Sequence, residues 1–216
     1  MSLNRKQILF VILAGFFIAN VLIAEIIGVK LVAMGSLQLT LGIILWPIVF
    51  LTTDILNEFY GKKAVRIISI LSFFLILYMY GIYWIAIHSK AISHSPVGDE
   101  AFKTVFKPVL NILLASDFAF LAAQFIDIFL FWTFRNLTNG KMIWLRATAS
   151  TIISQFFDTF LVQGIAFYLP GTWTFNELLT YGGNAYLVKL GIAICLIPFI
   201  YAGHFALRNI LRESHS

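Results

Sequence analysis

From Ile8 to Val29 the chain carries a single charged side chain, Glu25, and apolar runs of similar length recur along its 216 residues. About 20 apolar residues is the length at which a helix crosses the hydrocarbon core of a bilayer. A helix is favoured there because it satisfies its backbone N–H and C=O groups within one segment. That requirement points to an all-α fold, a polytopic membrane protein. The composition agrees: 60% of the residues are hydrophobic and only 12% charged, about half the charged fraction of a soluble domain.

Six transmembrane helices are expected in one domain covering 1–216, at about 7–29, 37–58, 66–88, 108–132, 145–169 and 185–207, each end good to a few residues. The first run is too long for a signal-peptide core and is read as a retained span. Pro47 is placed to kink the second span, and Pro108 to open the fourth as its first helical residue. Residues 89–107 form the longest soluble loop. Thr172 to Tyr181 reads as an amphipathic interfacial stretch, with Gly182 and Gly183 as a turn behind it. Gly15, Gly28, Gly81, Gly164 and Gly191 would each admit a close helix approach. Cys195 stands alone, which excludes an internal disulfide.

The net charge of +5 is not a nucleic-acid signature, because the basic residues sit in short loops between apolar spans. Arg5, Lys6, Lys62, Lys63, Arg66, Arg135, Lys141, Arg146, Arg208 and Arg212 fall on one side of the membrane in this topology. The positive-inside rule makes that side the cytoplasm, with both termini there and the protein in the inner (plasma) membrane.

Six acids nevertheless fall at membrane depth: Glu25, Asp54, Glu58, Asp117, Asp127 and Asp158. Asp54 and Glu58 are four residues apart and share a helical face. Gln124 with Asp127, and Gln155 with Asp158, are three apart and do the same. The available cations are Arg146, Lys30 and Lys189. A single buried acid is often only the partner of a neighbouring cation, and a single Gln is often only a hydrogen bond between helices. The surplus of acids over cations favours a shared polar cavity, since an unpaired carboxylate facing lipid is costly. The candidate substrate-binding set is Asn20, Asp54, Glu58, Gln124, Asp127, Arg146, Gln155 and Asp158. Carboxylates and amides beside aromatic rings suit a planar, donor-rich ligand, which a carboxylate can accept through two hydrogen bonds. A cationic ligand suits the same acids, and the residues alone leave both open.

No H-E-x-x-H, G-x-S-x-G or G-x-x-x-x-G-K-[ST] sequence is present, and His88, His94, His204 and His215 are too scattered for a metal cluster. The chain is therefore read as neither an enzyme nor a holder of a metal or cofactor. Acids scattered over several depths, rather than set in a ring, disfavour a passive channel. Any ATP would be hydrolysed by another chain, so an ATPase partner stays open, as does a homo-oligomer.

The block Trp46-Pro47…TDILNEFYGKKAVR, the span-four QFIDIFLF and the segment from Leu145-Arg146 to SxxxSQFFDT (Ser150 to Thr159) resemble the queuosine precursor transporter family. The most specific part is D-x-x-x-E-x-Y-G, here Asp54, Glu58, Tyr60 and Gly61, together with Arg146, Gln155 and Asp158. Asn20, Lys30 and Lys189 also fit the pattern. The resemblance implies uptake of a 7-deazaguanine precursor of the tRNA nucleoside queuosine, chiefly 7-cyano-7-deazaguanine. It also implies a fold similar to the substrate-binding components of energy-coupling-factor transporters. Two functions follow as expectations: a self-sufficient carrier, or a binding subunit that needs an ATPase partner.

Overall fold

The computed structural model describes residues 4–34 and 37–212. Helix α1, Arg5–Ile27, is opened by Asn4, whose side chain accepts from the Gln7 N–H while Gln7 reaches back to the Asn4 N–H. Strands β1 (Leu31–Met34) and β2 (Leu37–Thr40) pair antiparallel, Leu31 opposite Thr40. A 3-10 turn at Leu41–Ile44 leads into α2, Trp46–His88. Then come α3 (Asp99–Leu137), α4 (Ile143–Gln163) with a π turn at Gly164–Tyr168, α5 (Phe175–Cys195) and α6 (Ile197–Arg212). Apart from the hairpin, the regular structure is helical.

Among the described residues, four helices are long and apolar enough to cross a membrane: α1, α2, α3 and the α5–α6 stretch Phe175–Phe205. Their outer faces are apolar, with Ile67, Phe74 and Phe129 exposed, while the shared interior holds Phe17, Val21, Val49, Leu56, Val109 and Phe120. Helix α4 carries Arg146, Ser150, Thr151, Ser154, Gln155 and Asp158 on its buried face and packs against both α3 and α5. This polar centre inside an apolar coat suits a chain whose exterior solvent is lipid.

Several boundaries differ from the sequence reading. The segment 37–58 is not one helix: β2 and the 3-10 turn take its first part, and α2 begins at Trp46 with Pro47 in its first turn. There Pro47 lacks only an N–H that would have no partner anyway, so it starts the helix instead of kinking it. The kink lies at Gly61, whose φ of 80° and ψ of 171° break α2 into arms 46–60 and 62–88 with no loop between them. Only glycine adopts that conformation without strain. The first arm spans about 22 Å at 1.5 Å per residue, short of the roughly 30 Å of a bilayer core.

Pro108 is interior to α3, because that helix starts at Asp99, and residues 99–107 are helical and not loop. Asp99 and Glu100 occupy the first turn, where acids complement the helix dipole, and Asp99 Oδ1 accepts from the Ala91 N–H at 2.8 Å. Likewise α5 starts at Phe175, not near 185. Thr174 and Glu177 form a reciprocal cap, with the Thr174 N–H 2.7 Å from Glu177 Oε2 and the Glu177 N–H 3.3 Å from Thr174 Oγ1. Gly182 and Gly183 stay helical and make no turn. A Cβ on Gly182 would lie 2.8 Å from Phe160 Cε1, so that glycine serves a close α4–α5 contact. Of the glycines expected at close approaches only Gly28 qualifies: its Cα lies 3.3 Å from where a Cβ on Gly42 would stand, while Gly15, Gly81, Gly164 and Gly191 face open space.

Candidate functional site

Helix α2 presents Trp46, Phe50, Asp54 and Glu58 at four-residue intervals, a stripe running down one face toward the kink. Helix α3 contributes Phe120, Gln124 and Asp127, and α4 contributes Ser154, Gln155 and Asp158. Trp46 and Phe50 of that stripe, with Thr53, Ala123 and the α3 and α4 residues just named, line a narrow pocket. Trp46 stacks on Phe50 (centroids 5.9 Å apart, planes 23° apart) and meets Phe120 at 6.1 Å, which gives the pocket an aromatic wall.

The polar wall is incompletely satisfied. Asp127 Oδ1 accepts from Ser154 Oγ at 3.2 Å and from Thr151 Oγ1 at 3.5 Å. The side-chain oxygens of Gln124 and Gln155 are buried without a hydrogen-bond partner. Each buried acceptor left unmet costs about 1–3 kcal/mol, so the pocket is built to receive donors. Asp158 also lines it, but its Oδ2 takes Lys189 Nζ at 2.7 Å, and that ammonium lies 6.0 Å from the Trp46 ring.

At the kinked end a different cluster forms. Arg146, 1% exposed, places Nη2 on Glu58 Oε2 and donates Nη1 to the Gly140 carbonyl at 2.7 Å. Its guanidinium lies 5.6 Å from the centre of the Phe131 ring. Arg135 Nη1 stands 3.5 Å from the same Glu58 oxygen and stacks 4.7 Å from Trp132. Tyr60 Oη donates to the Lys6 carbonyl at 3.0 Å, which draws the start of α1 to this end. Glu58 and Arg146 thus belong to an ionic latch joining α2, α3, α4 and their turn, and they do not line the pocket.

Of the eight candidate residues, four come together in the pocket: Gln124, Asp127, Gln155 and Asp158. Asp54 lines a second, adjoining cavity that shares Phe50. Asn20 lies on α1, where its Nδ2 donates to the Phe16 carbonyl at 2.7 Å. Outside the set, Glu25 accepts from Ser116 Oγ at 2.8 Å, and both oxygens of the fully buried Asp117 lack partners. Among the described residues, cations pair only with Glu58, Glu100 and Asp158. Lys30, counted from the sequence as an available cation, is exposed. The pocket residues that the sequence reading did not propose as contacts are Trp46, Phe50, Thr53, Phe120, Ala123 and Ser154. The four-residue spacing of Trp46, Phe50 and Asp54 was the signal for two of them.

The model of the family described as "Putative vitamin uptake transporter" matches residues 40–203, which span the first arm of α2, the pocket and the latch. A Bacillus subtilis (strain 168) protein named "Probable queuosine precursor transporter" is 29% identical over 187 residues, 86% of this chain and 80% of that one. A Haemophilus influenzae protein of the same name is 30% identical over 194 residues, 87% and 78% of the two chains. No solved structure matches the chain.

Proposed function

The chain belongs to the vitamin-uptake and queuosine-precursor transporter family, and from that premise we propose that it imports a 7-deazaguanine base, a precursor of queuosine in tRNA, across the inner membrane. Six segments cross: α1, the two arms of α2, α3, α4, and α5 continued by α6. The end bearing Lys62, Lys63, Arg66, Arg135 and Lys141 faces the cytoplasm, in keeping with the positive-inside rule.

The observation that carries the reading is the meeting, in one aromatic-walled pocket, of the Asp127 carboxylate with the unpartnered oxygens of Gln124 and Gln155. A 7-deazaguanine ring offers an N–H and an exocyclic amine side by side. Asp127 accepts both, the two amides accept what remains and donate to the ring carbonyl, and Trp46 and Phe50 take the ring faces. Lys189 neutralises Asp158, so the pocket holds one uncompensated carboxylate. A neutral donor-rich base fits that balance better than a dication. Deletion of the exocyclic amine tests the reading by calorimetry on detergent-purified protein. 7-Cyano-7-deazaguanine should bind at least ten-fold more tightly than its analogue without the amine. Equal affinity for the two, or binding of neither, would overturn the proposed contact.

A further inference from the structure

Below Phe50, on the kinked side of the pocket, lies a second, small cavity lined by Phe50, Asp54, Ala147, Thr148, Thr151, Ala193, Leu196 and Ile200. Two polar groups on its wall stand without partners. Asp54, 4% exposed, has a buried Oδ1 with no partner, and Thr148, 7% exposed, has a buried Oγ1 with none. Several other buried hydroxyls bond back to their own helix: Thr52 to Ile48, Thr53 to Val49, Ser69 to Val65 and Ser72 to Ile68. Thr148 makes no such bond, so its oxygen remains available to a ligand. Thr151, whose hydroxyl reaches Asp127, lies on the same wall.

The third wall is the junction of α5 and α6. Helix α5 ends at Cys195 and α6 starts at Ile197 with Pro198 in its first turn. Proline has no N–H to offer the carbonyl of Ile194, which takes the Leu196 N–H instead. A helix C-terminus carries a partial negative charge, and interrupted membrane helices use such ends to hold small cations. Charge points the same way. Arg146 and Arg135 both pair with Glu58, which leaves Asp54 without a cation partner among the described residues.

We infer that this cavity is a binding site for a monovalent metal cation of sodium size, held by the Asp54 carboxylate, the Thr148 and Thr151 hydroxyls and carbonyl oxygens at the end of α5. Every donor is a hard oxygen. Among the described residues no three His, Cys, Asp or Glu side chains group as a transition-metal site would require. Phe50 walls both cavities and Thr151 bonds Asp127, so occupancy of one cavity bears on the other, and the coupling is reciprocal. The coupling rests on the proposed transport; the cation site does not.

The test is binding of ²²Na⁺ to detergent-purified protein by scintillation proximity, beside Asp54→Asn, Thr148→Val and Thr148→Ser, each checked for a monodisperse elution profile. Saturable binding that competes with unlabelled Na⁺ and not with K⁺ is expected. It should be lost at least ten-fold in Thr148→Val and Asp54→Asn and retained in Thr148→Ser. In liposomes, uptake of 7-cyano-7-deazaguanine should rise at least five-fold with an inward Na⁺ gradient at equal pH on both sides. Absent saturable binding, or binding indifferent to Thr148→Val, overturns the site. Uptake that follows a pH gradient and ignores Na⁺ overturns the coupling. Sodium binding with no uptake of the base would leave the site standing and remove the transport reading instead.

Discussion

Lys189 Nζ on α5 lies 2.7 Å from Asp158 Oδ2 on α4 and 6.0 Å from the ring of Trp46 on α2. One cation therefore ties three elements together at the pocket wall. Lys189→Met should lower the melting temperature and weaken base binding about ten-fold, since it leaves Asp158 buried and unpaired. The double variant Lys189→Met with Asp158→Asn should recover most of the stability, because both charges are then gone. A thermal-melting double-mutant cycle measures the coupling, and additive effects would mean that the pair contributes nothing.

Arg146 forks between Glu58 and the Gly140 carbonyl, and lysine cannot reproduce that planar two-way contact. Arg146→Lys should destabilise the protein nearly as much as Arg146→Ala, by about 3–5 kcal/mol as for other broken buried pairs. Arg135→Lys, at the half-exposed partner, should cost less than about 1 kcal/mol. Denaturation of the three variants in detergent checks the order.

Gln155→Ala removes an unpartnered buried acceptor from the pocket. The apo protein should be no less stable, while binding of the base should weaken about ten-fold, the scale of one hydrogen bond to a buried group. Gln124→Ala should behave alike. Calorimetry paired with thermal melting separates the two effects, and a variant that loses stability without losing affinity would mark the glutamine as a contact between helices.

The glycines give a contrast within one residue type. A Cβ on Gly182 would crowd Phe160 and Gln163 at 2.8 and 2.9 Å, and Gly61 sits at φ 80°. Gly182→Ala and Gly61→Ala should each destabilise, the latter by about 1–3 kcal/mol, because its positive-φ extended backbone is essentially restricted to glycine. Gly15→Ala, which meets nothing within 4 Å, should be neutral or slightly stabilising, given alanine's higher helix propensity. Melting temperatures of the three variants decide it.

What was legible in the sequence were features local to one helix. Gln124 with Asp127 and Gln155 with Asp158 share a face by spacing alone, and both pairs line the pocket. The excess of buried acids over cations was equally visible, and Asp54 and Asp127 do lack cation partners among the described residues. Contacts between distant segments were not legible. Nothing in the chain assigns Glu58 to Arg146, 88 positions away, and the sequence reading placed both in the site. Aromatic rings beside the acids were expected, but which rings form the wall was not legible, because Trp46 and Phe50 meet Phe120 from another helix. The strand at Leu37–Thr40 belongs to a hairpin whose apolar residues follow the composition of a membrane span but not its conformation. Ends of elements were misread where a cap outweighed hydropathy, as at Thr174 and Glu177.

The most direct test of transport is uptake of labelled 7-cyano-7-deazaguanine into liposomes holding the purified protein alone, with Asp127→Asn alongside. Saturable uptake by the wild-type protein, reduced at least ten-fold in Asp127→Asn with the variant still folded, is the predicted result. No uptake by the wild type, or uptake unchanged by Asp127→Asn, would contradict the assignment of this pocket as the carrier's substrate site.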